Sequence, residues 1–130
     1  MILLDANILI FCIRGREPVT SRVKAADPNE VAIPSIVAFE IEYGSLKSSS
    51  PRRKSILSGL LNHLQEIPFD RDAARNAARI RVDLEKRGNT IGMLDLMIAG
   101  TAMSRGATLI TNNVREFSRV KGLRIADWTL

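Results

Sequence analysis

The chain has 130 residues, of which 45% are hydrophobic and 25% charged, a globular mixture that excludes a disordered tail, a collagen or a coiled coil. Cys12 is the only cysteine and His63 the only histidine, which excludes a disulfide framework, a Cys-rich zinc site and the paired histidines of metal-independent ribonucleases. Lys and Arg total 19 against 14 Asp and Glu, giving a net charge of +5 that favours a polyanionic partner.

Met1 to Leu4 is a short apolar run that reads as a strand buried on both faces. Asp5 follows at once and no basic segment precedes it, so a signal peptide is not expected. Asn7 to Ile13 reads as a helix stopped near Gly15, and Glu17 to Ala26 as a second helix entered through Pro18. Val31 to Ile33 is a strand ended by Pro34, with Ser35 placed to cap a helix over Ile36 to Lys47. Ser48 to Pro51 is a turn and Arg52 to Gln65 is helical. Ile67 to Phe69 is an edge strand, because Pro68 cannot donate to a ladder.

Asp70 caps a long helix, Ala73 to Arg87, which Gly88 ends. Met93 to Ser104 is a helix closed by Gly106. Thr108 to Thr111 and Leu123 to Ile125 are strands. No apolar run approaches the ~20 residues that cross a bilayer, so a cytoplasmic location without membrane contact is expected. Strands alternating with helices predict an α/β fold with a parallel sheet covered on both faces. No linker divides residues 1–130, so one domain is expected. Ligands of such sheets bind beyond the carboxyl ends of the strands, which directs attention to the residues after Leu4 and after Ile110.

Four acidic residues stand out. Asp5 directly follows the first strand, where it can cap a helix or face a site. Asp95 lies in an apolar helix and shares a face with Ile98, Ala99 and Ala102; a carboxylate there is costly unless it caps the first turn, is paired, or holds a metal. On the Ile36–Lys47 helix, Ile36, Val37, Phe39, Ile41, Tyr43 and Leu46 span one broad arc. Glu40 falls inside that arc and Glu42 outside it, so Glu40 is the inward carboxylate. Glu116 follows the Thr108–Thr111 strand by a few residues. Carboxylates converging at one sheet edge would repel and raise one another's pKa, and a divalent cation resolves that conflict. An oxygen-only donor set selects Mg²⁺ or Mn²⁺ over zinc. A basic protein with an acidic metal pocket has the electrostatic outline of a metal-dependent nuclease.

Four stretches, Leu3 to Ile10, Phe39 to Gly44, Ile91 to Ala99 and Leu109 to Phe117, together with the tail Val120 to Trp128, resemble the PIN-domain toxins of the VapC family. The resemblance covers essentially the whole chain, in order. It implies a three-layer α/β/α sandwich with a mainly parallel central sheet. It also implies a Mg²⁺- or Mn²⁺-dependent endoribonuclease that blocks translation, dimerises, and is neutralised by a VapB-type antitoxin. The family's acidic positions fall on Asp5, Glu40, Asp95 and Glu116, with Asp5 and Asp95 as the metal-holding pair and Asn7, Thr111 and Asn112 in support. Ile91-Gly92 ahead of Asp95 and the run Thr111 to Phe117 are similar to the subgroup that cuts initiator tRNA in its anticodon stem-loop. The chain departs from the family's common Asp-Thr-Asn at Ala6, which removes a hydroxyl beside the first carboxylate.

Two other folds that place an Asp after a strand are disfavoured. Haloacid-dehalogenase-like phosphatases need a second Asp where this chain has Asn7, and receiver domains need a Lys that Thr111-Asn112-Asn113 does not supply. The remaining alternative is a non-catalytic basic RNA- or protein-binding module with the same fold. Arg14, Arg16, Arg115 and Arg119 are the candidates for RNA contact, because their loops are expected near Asp5 and Glu116.

Overall fold

The computed structural model describes residues 1–130, and their short apolar runs become the strands of one all-parallel sheet. In chain order the elements are β1 (Ile2–Leu4), α1 (Ala6–Ile13), α2 (Val19–Ala25), β2 (Val31–Pro34), α3 (Ser35–Lys47), α4 (Pro51–His63) and β3 (Gln65–Ile67). They continue with α5 (Arg71–Lys86), α6 (Met93–Ser104), β4 (Thr108–Ile110), α7 (Val114–Phe117) and β5 (Arg124–Ala126). The strand order is β3-β2-β1-β4-β5. Leu3 pairs with Ala32 on one side and Leu109 on the other, so β1 is the central strand. Leu3, Leu4, Ala32, Ile33, Leu109 and Ile110 are all essentially inaccessible. Burial of consecutive strand residues means that helices cover both faces, which is why these strands read as continuous apolar runs without alternation. This is the expected three-layer α/β/α arrangement, with a sheet that is wholly parallel.

The helices follow from local signals. The Asp70 carboxylate caps α5 by accepting from the Ala73 N–H at 3.0 Å. Ala73, Ala77, Ile80 and Leu84 form its buried stripe, spaced at three and four residues. Full burial of a leucine such as Leu84 contributes about 1.5–3 kcal/mol. That stripe packs on α6, where Gly100 lets the backbones touch: a Cβ there would lie 2.6 Å from the Ala73 carbonyl oxygen. Trp128 packs against the edge of the core.

Several expectations need correction. The third strand is Gln65–Ile67, not Ile67–Phe69, and α4 ends at His63, ahead of Gln65. The strand is at the sheet edge, but its pairing partner β2 sets the register: Ala32 faces Gln65 and Pro34 faces Ile67. Ser35 is not a cap. It is the first residue of α3, and its hydroxyl donates to the Ile67 carbonyl at 3.2 Å, tying α3 to the end of β3. The residues after Thr111 form the short helix α7, a single turn too short to show a helical period in the sequence. On α3 the buried stripe is Val37, Ile41 and Ser45, while Phe39, Tyr43 and Leu46 are exposed. The apolar arc drawn from the sequence was therefore too broad.

Candidate active site

The sheet order reverses around β1: the chain runs outward through β2 and β3, then returns to place β4 on the other side. The crevice of an open α/β sheet opens at such a point, beyond the carboxyl ends of the strands. Asp5 follows β1 and Thr111 follows β4, so both stand there. A cavity of about 270 Å³ opens at this place, lined by Asp5, Ala6, Asn7, Glu40, Asp95, Asn112 and Asn113. A slightly smaller, more apolar hollow between α1 and α4 lacks any acidic group, so chemistry rather than size selects the site.

Asp5 fills both roles open to it. It caps α1, with Oδ1 accepting from the Ala6 N–H at 2.8 Å. Its Oδ2 accepts from the Thr111 hydroxyl at 2.7 Å. Thr111 is fully buried, and its oxygen in turn accepts from the Asn113 N–H at 3.0 Å. The one hydroxyl bonded to Asp5 therefore comes from the end of the neighbouring strand β4, not from position 6. Asn7 and Asn112 approach each other, amide nitrogen to amide oxygen, at 3.4 Å across the cavity mouth. Asn113 also lines the cavity. The sequence reading missed it, because nothing in the run Thr111-Asn112-Asn113 says which amide turns inward.

Glu40 reaches the cavity from α3. It flanks the Val37–Ile41–Ser45 stripe, three residues after Val37, so it turns inward while Glu42 is exposed. Asp95 reaches it from the first turn of α6, which starts at Gly92 without a side-chain cap. Glu116, on α7, does not line the cavity. It stands close enough for its charge to act on Asp95, and Arg119 pairs with it at 3.8 Å.

These carboxyls strain against one another. Burial, then the charges of Asp5 and Asp95, push Glu40 up to about 7. Burial, then Asp5 and Glu116, push Asp95 up to about 6. Burial also raises Asp5, against hydrogen bonds from Thr111 and Ala6 that lower it. The folded chain therefore binds protons at these groups more tightly than the unfolded chain, so their ionisation destabilises the fold as pH rises. From these carboxyls, the melting temperature in chelator should be higher near pH 5 than near pH 8. The fall should run upward from the ordinary carboxylate values through about 6 and about 7. Glu40→Gln should flatten its upper part. A cluster-dependent melting temperature that rises over this range would contradict the repulsion.

The donor set fits a hard divalent cation. It offers carboxylate and amide oxygens, with no histidine or cysteine near, and Glu40 Oε1 is buried without any hydrogen-bond partner. The acids surround the cavity without gathering three side chains into a ready ligand set.

The arginines divide. Arg115 is exposed on α7, next to Glu116. Arg14 and Arg16 do not stand beside Asp5. They lie past the far end of α1, about 12 Å away for eight residues of helix. There Arg14 lines the α1–α4 hollow with Arg52 and Arg53, and Arg16 stacks over Phe11 at 4.4 Å. Arg119 turns inward and donates to the Thr90 carbonyl at 2.8 Å.

Comparison with known proteins agrees with this architecture. The PIN domain family model matches residues 2–123. The tRNA(fMet)-specific endonuclease VapC of Shigella flexneri is 37% identical over 128 residues, spanning 98% of this chain and 97% of that one. Ribonuclease VapC2 of Rickettsia felis is 35% identical over 129 residues, spanning 97% and 96%. A crystal structure of VapBC2 from Rickettsia felis, bound to a DNA fragment from its promoter, superposes with a TM-score of 0.90 at 34% identity, covering 98% of this chain and 99% of that one. With the motifs in order along the chain and the sheet matched throughout, this protein belongs to the PIN-domain family, among its VapC ribonucleases.

Proposed function

We propose that the chain is the toxin of a type II toxin–antitoxin pair, a Mg²⁺- or Mn²⁺-dependent endoribonuclease that cuts initiator tRNA in its anticodon stem-loop and so blocks translation. The observation that carries this reading is the polar cavity at the sheet's switch point, which Asp5, Glu40 and Asp95 line and at which a buried Glu40 oxygen has no partner. The RNA target is supported by relatives named for tRNA(fMet), at 37% and 38% identity. A VapB-type antitoxin partner is supported by similar structures that are VapBC complexes. Phe39, Tyr43 and Leu46 form an exposed apolar stripe of the kind that marks interfaces, which is consistent with that partner and with a homodimer. No helix is long and apolar enough to cross a membrane, and we assign the protein to the cytoplasm, where tRNA is found.

Asp5 and Asp95 would hold the cation, with Glu40 and Glu116 flanking them. When bound, the cation supplies an activated water and offsets the charge that develops on the phosphate. Thr111 keeps Asp5 in one orientation by its 2.7 Å hydrogen bond. Glu40, pushed up to about 7, lines the cavity and can accept a proton there at neutral pH. Asn7 and Asn112, at the cavity mouth, can donate amide N–H groups to the phosphate chain. Arg115, exposed on α7, is the sequence-selected arginine left free to meet RNA.

A labelled RNA stem-loop incubated with the purified, antitoxin-free protein tests the reading. Cleavage should require Mg²⁺ or Mn²⁺ and stop in chelator, and Zn²⁺ should substitute poorly. RNA binding should persist in chelator and weaken steeply with salt through counterion release. Cleavage unchanged in chelator would sink the metal mechanism. Binding without cleavage of any plausible RNA would favour the non-catalytic module.

A further inference from the structure

Two of the acidic residues are delivered by segments far apart in sequence. Asp95 opens α6 after the stretch 88–92, and Glu116 lies on α7 after β4. Arg119 joins these segments. Its side chain is only 21% exposed, and its Nη1 donates to the Thr90 carbonyl at 2.8 Å while lying 3.8 Å from Glu116 Oε1. Its own carbonyl accepts from Arg87 Nη2 at 2.6 Å. The same Arg87 guanidinium grips Asp83 Oδ2 at 2.6 Å near the end of α5. The end of α5, the segment that launches α6, and α7 are therefore laced together through two guanidinium groups. One guanidinium nitrogen thus serves both a carbonyl and a carboxylate, and the planar group fixes the direction of its N–H more tightly than a freely rotating ammonium would. The Nη1 donor of Arg119 is thereby turned inward, away from any phosphate at the surface.

We propose that Arg119 is a positioning residue of the acidic site: through Glu116 and the Thr90 carbonyl it fixes the separation of Glu116 from Asp95, and it does not contact RNA. The inference rests on the reading of the cavity as a divalent-cation site. Glu116 and Asp95 carry like charges and are close enough to act on each other, so nothing in the pair itself holds them at a fixed separation. Without the guanidinium, Glu116 is free to swing towards solvent and the start of α6 loses its tie to α7. Removing a group that orients metal ligands typically costs 10–100-fold in metal affinity or activity.

The test uses the full-length protein, wild type and the variants R119A, R119K and R81A. Calorimetry measures Mn²⁺ binding without RNA, and fluorescence anisotropy measures stem-loop binding in chelator across a salt series. R119A should raise the Mn²⁺ Kd about 10–100-fold and lower kcat, with the RNA Kd and its salt slope unchanged. R119K should recover part of the loss, because an ammonium keeps the charge opposite Glu116 but not the directed guanidinium N–H to the Thr90 carbonyl. R81A should match wild type, since Arg81 pairs only with Glu85 on its own helix. If R119A does not fold, R119K decides: an intact fold with weakened Mn²⁺ binding supports the proposal.

An R119A variant that weakens RNA binding in chelator and reduces the salt slope by about 1 would make Arg119 an RNA contact instead. Wild-type Mn²⁺ affinity in a folded R119A or R119K variant, even one that melts earlier, would reduce its role to general stability and overturn the proposal alone. A wild type that binds no Mn²⁺ would remove the cation site itself, and the proposal with it.

Discussion

Replacing Asp5 or Asp95 with asparagine is expected to lower RNA cleavage by about 10³-fold or more, with the fold intact. Each carboxylate lines the cavity and faces the other's charge. Loss of a cation ligand forfeits the several kcal/mol that a metal supplies to the transition state, and each 1.36 kcal/mol is tenfold in rate. The two variants should differ in stability. Asp95→Asn removes a repelled charge and should raise the melting temperature in chelator. Asp5→Asn also removes repulsion, but it puts an N–H₂ where an oxygen now accepts from Thr111 or Ala6. Its stability gain should therefore be smaller or absent. Single-turnover cleavage assays and thermal melts in chelator measure both effects. Wild-type cleavage by either folded variant would mean that the acidic cavity is not the catalytic site.

Glu40 and Glu42 provide the sharpest contrast, being identical side chains two residues apart. Glu40→Gln is expected to cost about 10²-fold in kcat, in line with loss of a positioned proton acceptor. Gln still fills the space, so the fold should survive. Glu42 is exposed on the other side of α3, where a substitution typically shifts energies by at most about 0.5 kcal/mol, so Glu42→Gln should stay within about twofold of wild type. Comparing kcat and KM for the two variants on one RNA substrate settles the ranking. The reverse order would mean that a different face of α3 meets the substrate.

The origin of that contrast shows where sequence reasoning succeeds for only part of the right reason. Helical phase puts Glu40 and Glu42 on opposite sides, and the structure does turn Glu40 inward. The apolar arc used to orient the helix, however, included Phe39, Tyr43 and Leu46, which are 57%, 56% and 77% exposed. Hydrophobicity marks residues that favour burial. It does not say whether this chain or a partner buries them.

The sequence by itself determined the alternation of strands and helices, because apolar runs of three or four residues are too short for a helix and, bounded by turn residues and caps, suit strands buried on both faces. It also singled out Asp5 and Asp95, since a carboxylate at a strand end or among apolar helical residues is costly without a partner. Tertiary structure decided the rest. The register of β3 follows from pairing with β2, not from Pro68. The Thr111 hydroxyl reaches Asp5 across 106 residues of chain, an approach that no local pattern encodes. Arg14 lies one helix length from Asp5 although only nine residues separate them, because α1 carries the chain away from the site at about 1.5 Å per residue. Arg119 turns inward because Thr90 and Glu116 happen to flank it in space. Local propensity fixes which way each segment folds, but parallel-sheet contacts are non-local, so which charges face one another is settled only when the segments pack.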